Sequence, residues 1–155
     1  MKKILFLWNV LILTTITTTL FSAATTHNNF IVINEGFTEQ DREAIKLKLA
    51  GFNQSFMDNF QFNEFITIKI YNATNKELSG FAFLQKTTND SYLINSFLIF
   101  HEYTGKGAGT VLLDYIKKNF SKVMAHYGSG ISNFFLKKGG FKRKENFVIY
   151  EKPMN

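Results

Sequence analysis

Residues 103–113 read YTGKGAGTVLL, a glycine-rich turn that is predicted to leave a strand and open an amphipathic helix. Glycines can adopt backbone angles that other residues resist, so successive N–H groups can converge on an anion at the positive end of the helix. Such a cluster is as typical of an ordinary loop as of a phosphate site, so the flanking elements must decide between them. Five residues bear on the question: Gly105, Lys106, Gly107, Gly109 and Thr110.

Segments on both sides of the turn carry the patterns of strands and helices. Short runs with β-branched residues or period-two alternation predict six strands, at residues 30–34, 65–71, 78–86, 92–100, 122–127 and 147–152. Apolar residues at helical spacing predict helices from about residue 39, within 52–65, over 108–120 and over 132–138.

The resulting order of elements is β, α, α, β, β, β, α, β, α, β, with the glycine-rich turn between the fourth strand and the third helix. A doubly wound nucleotide fold would alternate strand and helix and begin with its glycine-rich turn. The turn also lacks the ending of a nucleoside-triphosphate loop, since Lys106 precedes Gly107 and Ala108. The order therefore predicts an α+β domain, layered α/β/α. We expect its sheet to be mixed and mostly antiparallel, with six to seven strands and about four helices.

Composition limits the classes of protein. The 155 residues suffice for one domain, 45% of them are hydrophobic, and 18 are phenylalanine, which predicts a core rich in aromatic rings. Cysteine is absent, which excludes disulfides and thiol nucleophiles. No zinc spacing and no aromatic-basic RNA motif is present, so neither a metal nor a nucleic-acid partner is expected.

Residues 1–24 differ from the rest and resemble a secretory leader. Lys2 and Lys3 precede an apolar run and a threonine-rich stretch that ends in Ser22-Ala23-Ala24. The alternatives are a retained membrane anchor or a cytoplasmic segment. We expect residues 25–155 to form the domain, secreted or periplasmic if the leader is cleaved. Cleavage would remove two lysines and lower the formal charge from +6 to +4.

Two segments at their observed separation resemble the GCN5-related N-acetyltransferases, the GNAT family. Residues 97–113, FLIFHEYTGKGAGTVLL, are similar to its fourth strand, pyrophosphate loop and third helix. Residues 135–141, FLKKGGF, are similar to the later helix that ends in a Gly-Phe pair. The resemblance extends over nearly all of residues 30–152. It implies the acyl-CoA N-acyltransferase fold, with acetyl-CoA or a longer acyl-CoA bound where the fourth and fifth strands separate.

The resemblance also implies roles for individual residues. The backbone N–H groups that would hold the pyrophosphate belong to Gly105, Lys106, Gly107, Ala108, Gly109 and Thr110. The strand backbone offered to the pantetheine arm and the thioester belongs to Phe97, Leu98 and Ile99. Thr104 stands where relatives usually carry arginine or glutamine, which removes one donor.

The catalytic groups are less well indicated. Many relatives protonate the leaving thiolate with a tyrosine, but the matching position is Leu136, which has no proton to donate. Ser129 stands where an asparagine is common. Tyr127 and Ser129 are the remaining candidate donors. His126, on the predicted fifth strand, is the candidate general base, although a polar residue on a half-exposed strand is the more ordinary interpretation.

The densest basic cluster comprises Lys137, Lys138, Lys142, Arg143 and Lys144. A solvated surface is the ordinary interpretation. The alternative is contact with the 3′-phosphate of the cofactor or with an acidic partner, including lipid headgroups.

The sequence thus favours an N-acetyltransferase that moves acetyl from acetyl-CoA to a primary amine of a small molecule or protein. Two other hypotheses remain. One is a non-catalytic acyl-CoA or anion-binding module, suggested by Leu136 and by the leader. The other is an exported interaction protein whose phenylalanine-rich residues 52–65 bind a partner. Because acetyl-CoA is a cytosolic metabolite, an exported bacterial enzyme would need a host compartment that contains it.

Overall fold

The computed structural model describes residues 25–27, 29–49, 65–87, 90–128 and 130–153. The predicted leader lies outside these ranges, as does the predicted second helix within residues 52–65 except for Phe65. No helix in the described ranges is long and apolar enough to cross a membrane.

Eight strands and three α-helices make up the described part of the chain. In chain order they are β1 (Thr25–His27), β2 (Phe30–Asn34), α1 (Glu39–Lys48), β3 (Ile66–Asn72), β4 (Leu78–Lys86), β5 (Ser91–Ile99), a 3₁₀ helix (His101–Tyr103), α2 (Ala108–Asn119), β6 (Lys122–His126), α3 (Ser132–Lys138), β7 (Lys142–Lys144) and β8 (Phe147–Glu151).

The strands form one mixed sheet in the order β1-β2-β3-β4-β5-β6-β8-β7. Among the described strands only β5 and β6 run parallel, which confirms the prediction of a mostly antiparallel sheet. The sheet has eight strands where six to seven were predicted, because β1 and β7 are three-residue strands at its two edges. The sequence of β7, Lys-Arg-Lys, has no hydrophobic alternation to reveal it.

Helices lie on both faces of the sheet. The ring of Phe97 in β5 contacts Phe135 of α3 at a centroid distance of 5.3 Å, whereas the Lys69 amine of β3 reaches Asp41 of α1. The strand register places Lys69, Phe81 and Leu98 in one row across the sheet, so their side chains share a face. Phe97, the neighbour of Leu98 along β5, therefore points to the opposite face. The structure is therefore a three-layer arrangement, with α1 on one face and α3 on the other.

A buried ionic cluster fixes α1 to its face of the sheet. The side chain of Lys69 is fully buried and its Nζ donates to Glu35 Oε1 (2.8 Å), the Gly36 carbonyl (2.9 Å) and Asp41 Oδ2 (2.9 Å). The Tyr71 hydroxyl donates to Asp41 Oδ1 at 2.7 Å. All three N–H donors of the ammonium group thus find acceptors in the loop and helix that follow β2. These hydrogen bonds compensate for the loss of hydration on burial.

The two ends of α1 are also fixed. Thr38 and Asp41 form a capping box, in which each side chain accepts from the other residue's backbone N–H. At the other end, Lys48 pairs with Glu102 of the 3₁₀ helix, and its ammonium group lies 5.5 Å from the centroid of the Tyr103 ring. This helix therefore ends against the glycine-rich turn.

The ionic cluster predicts a pH effect at Tyr71. Burial, together with the hydrogen bond to the Asp41 carboxylate, raises the pKa of Tyr71 from 10.0 to about 12. Since the folded state holds this proton more tightly than the unfolded state, its stabilising contribution is complete below pH 10 and is lost as pH rises toward 12. In an alkaline absorbance titration we expect one phenol to ionise near pH 12 and to disappear in Tyr71→Phe. An unchanged titration in that variant would contradict the assignment.

Candidate functional site

A cleft of about 630 Å³ lies where the end of β5 meets the start of α2 and the start of α3. One wall is apolar and comes from β5 and α3, while the opposite wall is the glycine-rich turn. The lining residues are Phe97, Leu98, Ile99, Tyr103, Thr104, Gly105, Gly107, Gly109, Thr110, Ile131 and Phe134.

The cleft exists because β5 and β6 separate. Their parallel pairing covers only three residues on each strand, 91–93 and 122–124, although β5 continues to Ile99 and β6 to His126. On its other edge β5 stays paired with β4 up to Ile99. Because alternate residues of an antiparallel strand turn their N–H and C=O groups away from the partner, the last third of β5 presents backbone polar groups to the gap.

A β-bulge lies just beyond the point of separation. The register between β4 and β5 shifts between Phe83, which opposes Ser96, and Leu84, which opposes Ile94. The extra residue on β5 is therefore Asn95, and bulges of this kind bend a strand and re-aim its side chains. Residues 97–99 follow this bulge and do not pair with β6.

The glycine-rich turn has the geometry of an anion site. Gly105 and Gly107 have φ of 76° and 90°, values at which glycine is strongly favoured, and Gly107 is the N-cap of α2. No side chain caps this helix, and its first intrahelical hydrogen bond runs from the Val111 N–H to the Gly107 carbonyl at 3.1 Å. The N–H groups of the three preceding residues, 108–110, therefore have no intrahelical acceptor.

The charges around this helix start favour an anion. The first turn of α2 carries no acidic side chain, so none of its own side chains neutralises the positive end of the helix dipole. Lys106 is exposed, with its ammonium group 5.8 Å from the centroid of the Tyr103 ring. Thr110 is also exposed and lines the cleft, which leaves its hydroxyl accessible to a ligand.

α2 lies against the apolar wall at Gly109, where a Cβ atom would be in ordinary van der Waals contact with that wall. A Cβ atom at this position would lie 3.4 Å from Phe134 Cζ and 3.5 Å from Ile99 Cγ1. Phe134 in turn contacts the ring of Phe97 at a centroid distance of 6.0 Å. A helix start with free N–H groups, a strand with free backbone groups and an aromatic wall therefore meet around one narrow space.

Tyr103 fixes the start of the glycine-rich turn to the core. Its hydroxyl donates to Glu77 Oε2 at 2.8 Å, and its ring meets Phe30 edge to face at 6.3 Å. Only 5% of Tyr103 is exposed, so the residue anchors the start of the turn in the core.

Most of the predicted cofactor-binding residues lie together. Seven of them line the cleft, and the two others flank it: Lys106 is exposed, and Ala108 is fully buried. Their roles remain predictions. The seven are Phe97, Leu98, Ile99, Gly105, Gly107, Gly109 and Thr110.

Sequence reasoning did not assign four other lining residues, Tyr103, Thr104, Ile131 and Phe134. Thr104 was considered only as a departure from the family pattern. The spacing of Ile131 and Phe134, three residues apart on one side of α3, was a usable signal, since i and i+3 share a helix face.

Two of the three candidate catalytic residues, His126 and Tyr127, are not among the residues that line the cleft. His126 is exposed and packs against Phe147 in a tilted arrangement with ring centroids 4.9 Å apart, and Tyr127 is 39% exposed with the Arg143 guanidinium 3.8 Å from its ring centroid. Ser129 is not among the described residues. Leu136 packs half-buried against the core and does not line the cleft. The catalytic assignments therefore remain predictions.

Within the described residues, no group of three or more histidine, aspartate or glutamate side chains is arranged to hold a metal ion.

Solved structures share this fold. No family model and no curated protein matches the chain. An acetyltransferase of the GNAT family from Staphylococcus aureus Mu50 superposes with a TM-score of 0.57 at 13% identity, over 79% of this chain and 99% of that chain. The ribosomal-protein-S18-alanine N-acetyltransferase from Escherichia coli gives a TM-score of 0.54 at 14% identity, over 80% and 96%. The chain therefore has the acyl-CoA N-acyltransferase fold of the GNAT acetyltransferases, as the resemblance implied.

Proposed function

We propose that this chain, which has the GNAT fold, is an N-acetyltransferase that moves the acetyl group of acetyl-CoA to a primary amine by direct attack. The observation that carries the proposal is the meeting of an uncapped, glycine-started helix with the separated end of β5 in one cleft.

The turn would bind the pyrophosphate of the cofactor. The unpaired N–H groups at residues 109 and 110 and the positive φ values of Gly105 and Gly107 suit two adjacent phosphates, and the helix dipole adds favourable charge. Lys106 would supply a cation from the rim. This binding depends on the backbone, so the threonine at position 104 weakens it without removing it.

The apolar wall and β5 would bind the rest of the cofactor. The pantetheine arm would lie along Phe97, Ile99 and Phe134, with its amides paired to the free backbone groups of β5. A backbone N–H in this segment would also stabilise the negative charge that develops on the thioester oxygen during attack.

The transfer itself needs no covalent enzyme intermediate. The amine nitrogen attacks the thioester carbonyl carbon, a C–N bond forms, the C–S bond breaks, and the thiolate leaves with the electron pair of that bond. A base takes the proton lost by the amine. His126 is the candidate base, and Tyr127 or Ser129 is the candidate donor to the thiolate, since Leu136 has no proton to give.

The candidate catalytic positions also favour a second function. Leu136 is apolar, and both His126 and Tyr127 lie outside the cleft, as expected of a module that binds acyl-CoA without transferring the acyl group.

The test is the release of free thiol from acetyl-CoA when the purified protein is given a panel of primary amines. We expect release that depends on the amine and falls about 10²- to 10⁴-fold in His126→Gln, the usual contribution of a general base. Binding of acetyl-CoA without release of its thiol in the presence of any amine would support the second function. A protein that does not bind acetyl-CoA would contradict both.

A further inference from the structure

A basic face lies on the side of the sheet away from α3. The register aligns Lys142 with Ile149 and Met124 in one row, and Lys144 with Phe147 and His126 in the next. Residues opposite one another in paired strands share a face. We define the basic face by these six residues, Met124, His126, Lys142, Lys144, Phe147 and Ile149.

The other side of the same strands is covered. Tyr150, which alternates with Ile149, packs against Phe141 with ring centroids 5.7 Å apart, and the ammonium group of Lys117 in α2 lies 5.4 Å from the Tyr150 ring centroid. On the basic face the apolar side chains of Met124, Phe147 and Ile149 are only half-buried, and His126 is exposed.

The cations of this face are available for a ligand. Glu151 lies on the same face but forms an ion pair with Lys122 at 2.7 Å. The hydrogen bond from Lys122 lowers the pKa of Glu151, and the charges of Lys144 and Lys142 add to that effect. In the described ranges, neither Lys142 nor Lys144 has an ion-pair partner, and both are exposed.

The basic face adjoins the place where the acetyl group would emerge. The cofactor cleft is lined by residues at the starts of α2 and α3, and it lies where the pairing of β5 with β6 has ended. β6 borders this gap and carries His126 on the basic face. An acceptor that lies on the basic face therefore borders the gap.

Distance limits the kind of acceptor. β7 lies two strands beyond β6, and a spacing of about 4.8 Å between strands puts Lys142 and Lys144 roughly 10 Å from the edge of the gap. A small amine that carries its own carboxylate does not span this separation. An extended peptide advances about 3.3 Å per residue, so three to four residues do.

We propose that the acceptor is a primary amine in an extended, acidic peptide segment that lies across the basic face. Carboxylates three or four residues from the amine pair with Lys142 and Lys144, and the half-buried apolar side chains contact the peptide between them. This proposal rests on the proposed function. The sequence suggested an acidic partner as one alternative for the basic cluster of five residues. In this proposal the acidic partner is the substrate, and two of the five cations bind it.

The test compares two pairs of short peptides. The two peptides of a pair have the same sequence, except that glutamates three and four residues from the amine in one peptide are glutamines in the other. One pair carries a free N-terminal amine, and the other is N-acetylated with a single lysine. The variant is Lys142→Glu with Lys144→Glu, and the control is Lys137→Glu with Lys138→Glu, exposed on α3. Both variants are first checked for unchanged circular dichroism and acetyl-CoA affinity.

For the wild-type protein we expect kcat/KM to be about tenfold higher with the acidic peptide of at least one pair. The Lys142/Lys144 variant should lose that tenfold preference, whereas the control variant should keep it, because two exposed ion pairs and their reversal give an effect of this order. Equal rates with acidic and neutral peptides, or equal losses in both variants, would overturn the proposal.

Failure of the proposal is distinguishable from failure of the proposed function. Rapid acetylation of small amines together with no preference among peptides would overturn the acidic-peptide acceptor and leave the acetyltransferase standing. Absence of acetyl-CoA binding would overturn both.

Discussion

Replacement of Gly107 by valine is expected to weaken acetyl-CoA binding by about 10- to 100-fold. Gly107 has φ of 90°, where a β-branched residue is a genuine outlier, so the turn must adopt a different backbone. The N–H groups at the start of α2 would then no longer converge on the pyrophosphate. The loss of one charge-assisted hydrogen bond is worth about 1.5–3 kcal/mol, and each 1.4 kcal/mol is tenfold in affinity. Calorimetric titration with acetyl-CoA measures the change.

Gly128 provides a matched control for this variant. Its φ is 93°, and as at Gly107 a Cβ atom there would meet no heavy atom within 4 Å, but it does not line the cleft. Gly128→Val therefore carries the same backbone strain and should change the affinity by less than about twofold. Equal losses in the two variants would mean that strain, and not the anion site, accounts for the effect.

Replacement of Asp41 by alanine is expected to lower the free energy of unfolding by about 3–5 kcal/mol. Asp41 is 4% exposed, accepts from Lys69 and Tyr71, and closes the capping box with Thr38. Its removal leaves the fully buried Lys69 ammonium with Glu35 as its one remaining carboxylate, and breaking a buried pair on one side costs this much. Urea unfolding followed by circular dichroism gives the value.

The control for Asp41 lies on the same helix. Glu43 pairs with Lys46 at 2.8 Å on the exposed side of α1, where ion pairs contribute about 0.5 kcal/mol or less. Glu43→Ala should therefore leave the stability nearly unchanged. A loss below about 1 kcal/mol in Asp41→Ala would contradict the importance of the cluster.

The acid side of the stability profile gives a second readout for Asp41. Burial alone would raise its pKa, but the hydrogen bonds from Lys69, Thr38 and Tyr71 outweigh burial and lower the pKa below 3.8. Its contribution is therefore present above that pH and is lost as pH falls through the lowered pKa.

The order of elements was readable because the local signals agree. Glycines at positions 105 and 107, an apolar strand before them and a helical stripe after them occur in one stretch of sequence, and the structure has a turn of positive φ between β5 and α2. Thr38 and Asp41, which form the capping box at the start of α1, likewise lie only three residues apart in the sequence. Local backbone preference suffices for features of this kind.

The features that sequence reasoning missed depend on the folded arrangement. Lys69 alternates with isoleucines as a surface residue would, yet it is fully buried, because its partners lie 28 and 34 residues earlier in the chain. The contact of Phe134 with Phe97 and the divergence of β6 from β5 likewise involve residues that are far apart in the chain. No local pattern records where two strands separate.

The central claim is that the cleft between β5 and α2 binds the pantetheine and pyrophosphate of acetyl-CoA. It is tested most directly by amide chemical shifts of the ¹⁵N-labelled protein during titration with coenzyme A. We predict the largest shifts at Gly107, Gly109, Thr110 and Ile99, with Gly36 and Gly128 unchanged. Saturation of the titration without shifts at the turn, or with shifts confined to other parts of the chain, would contradict the claim.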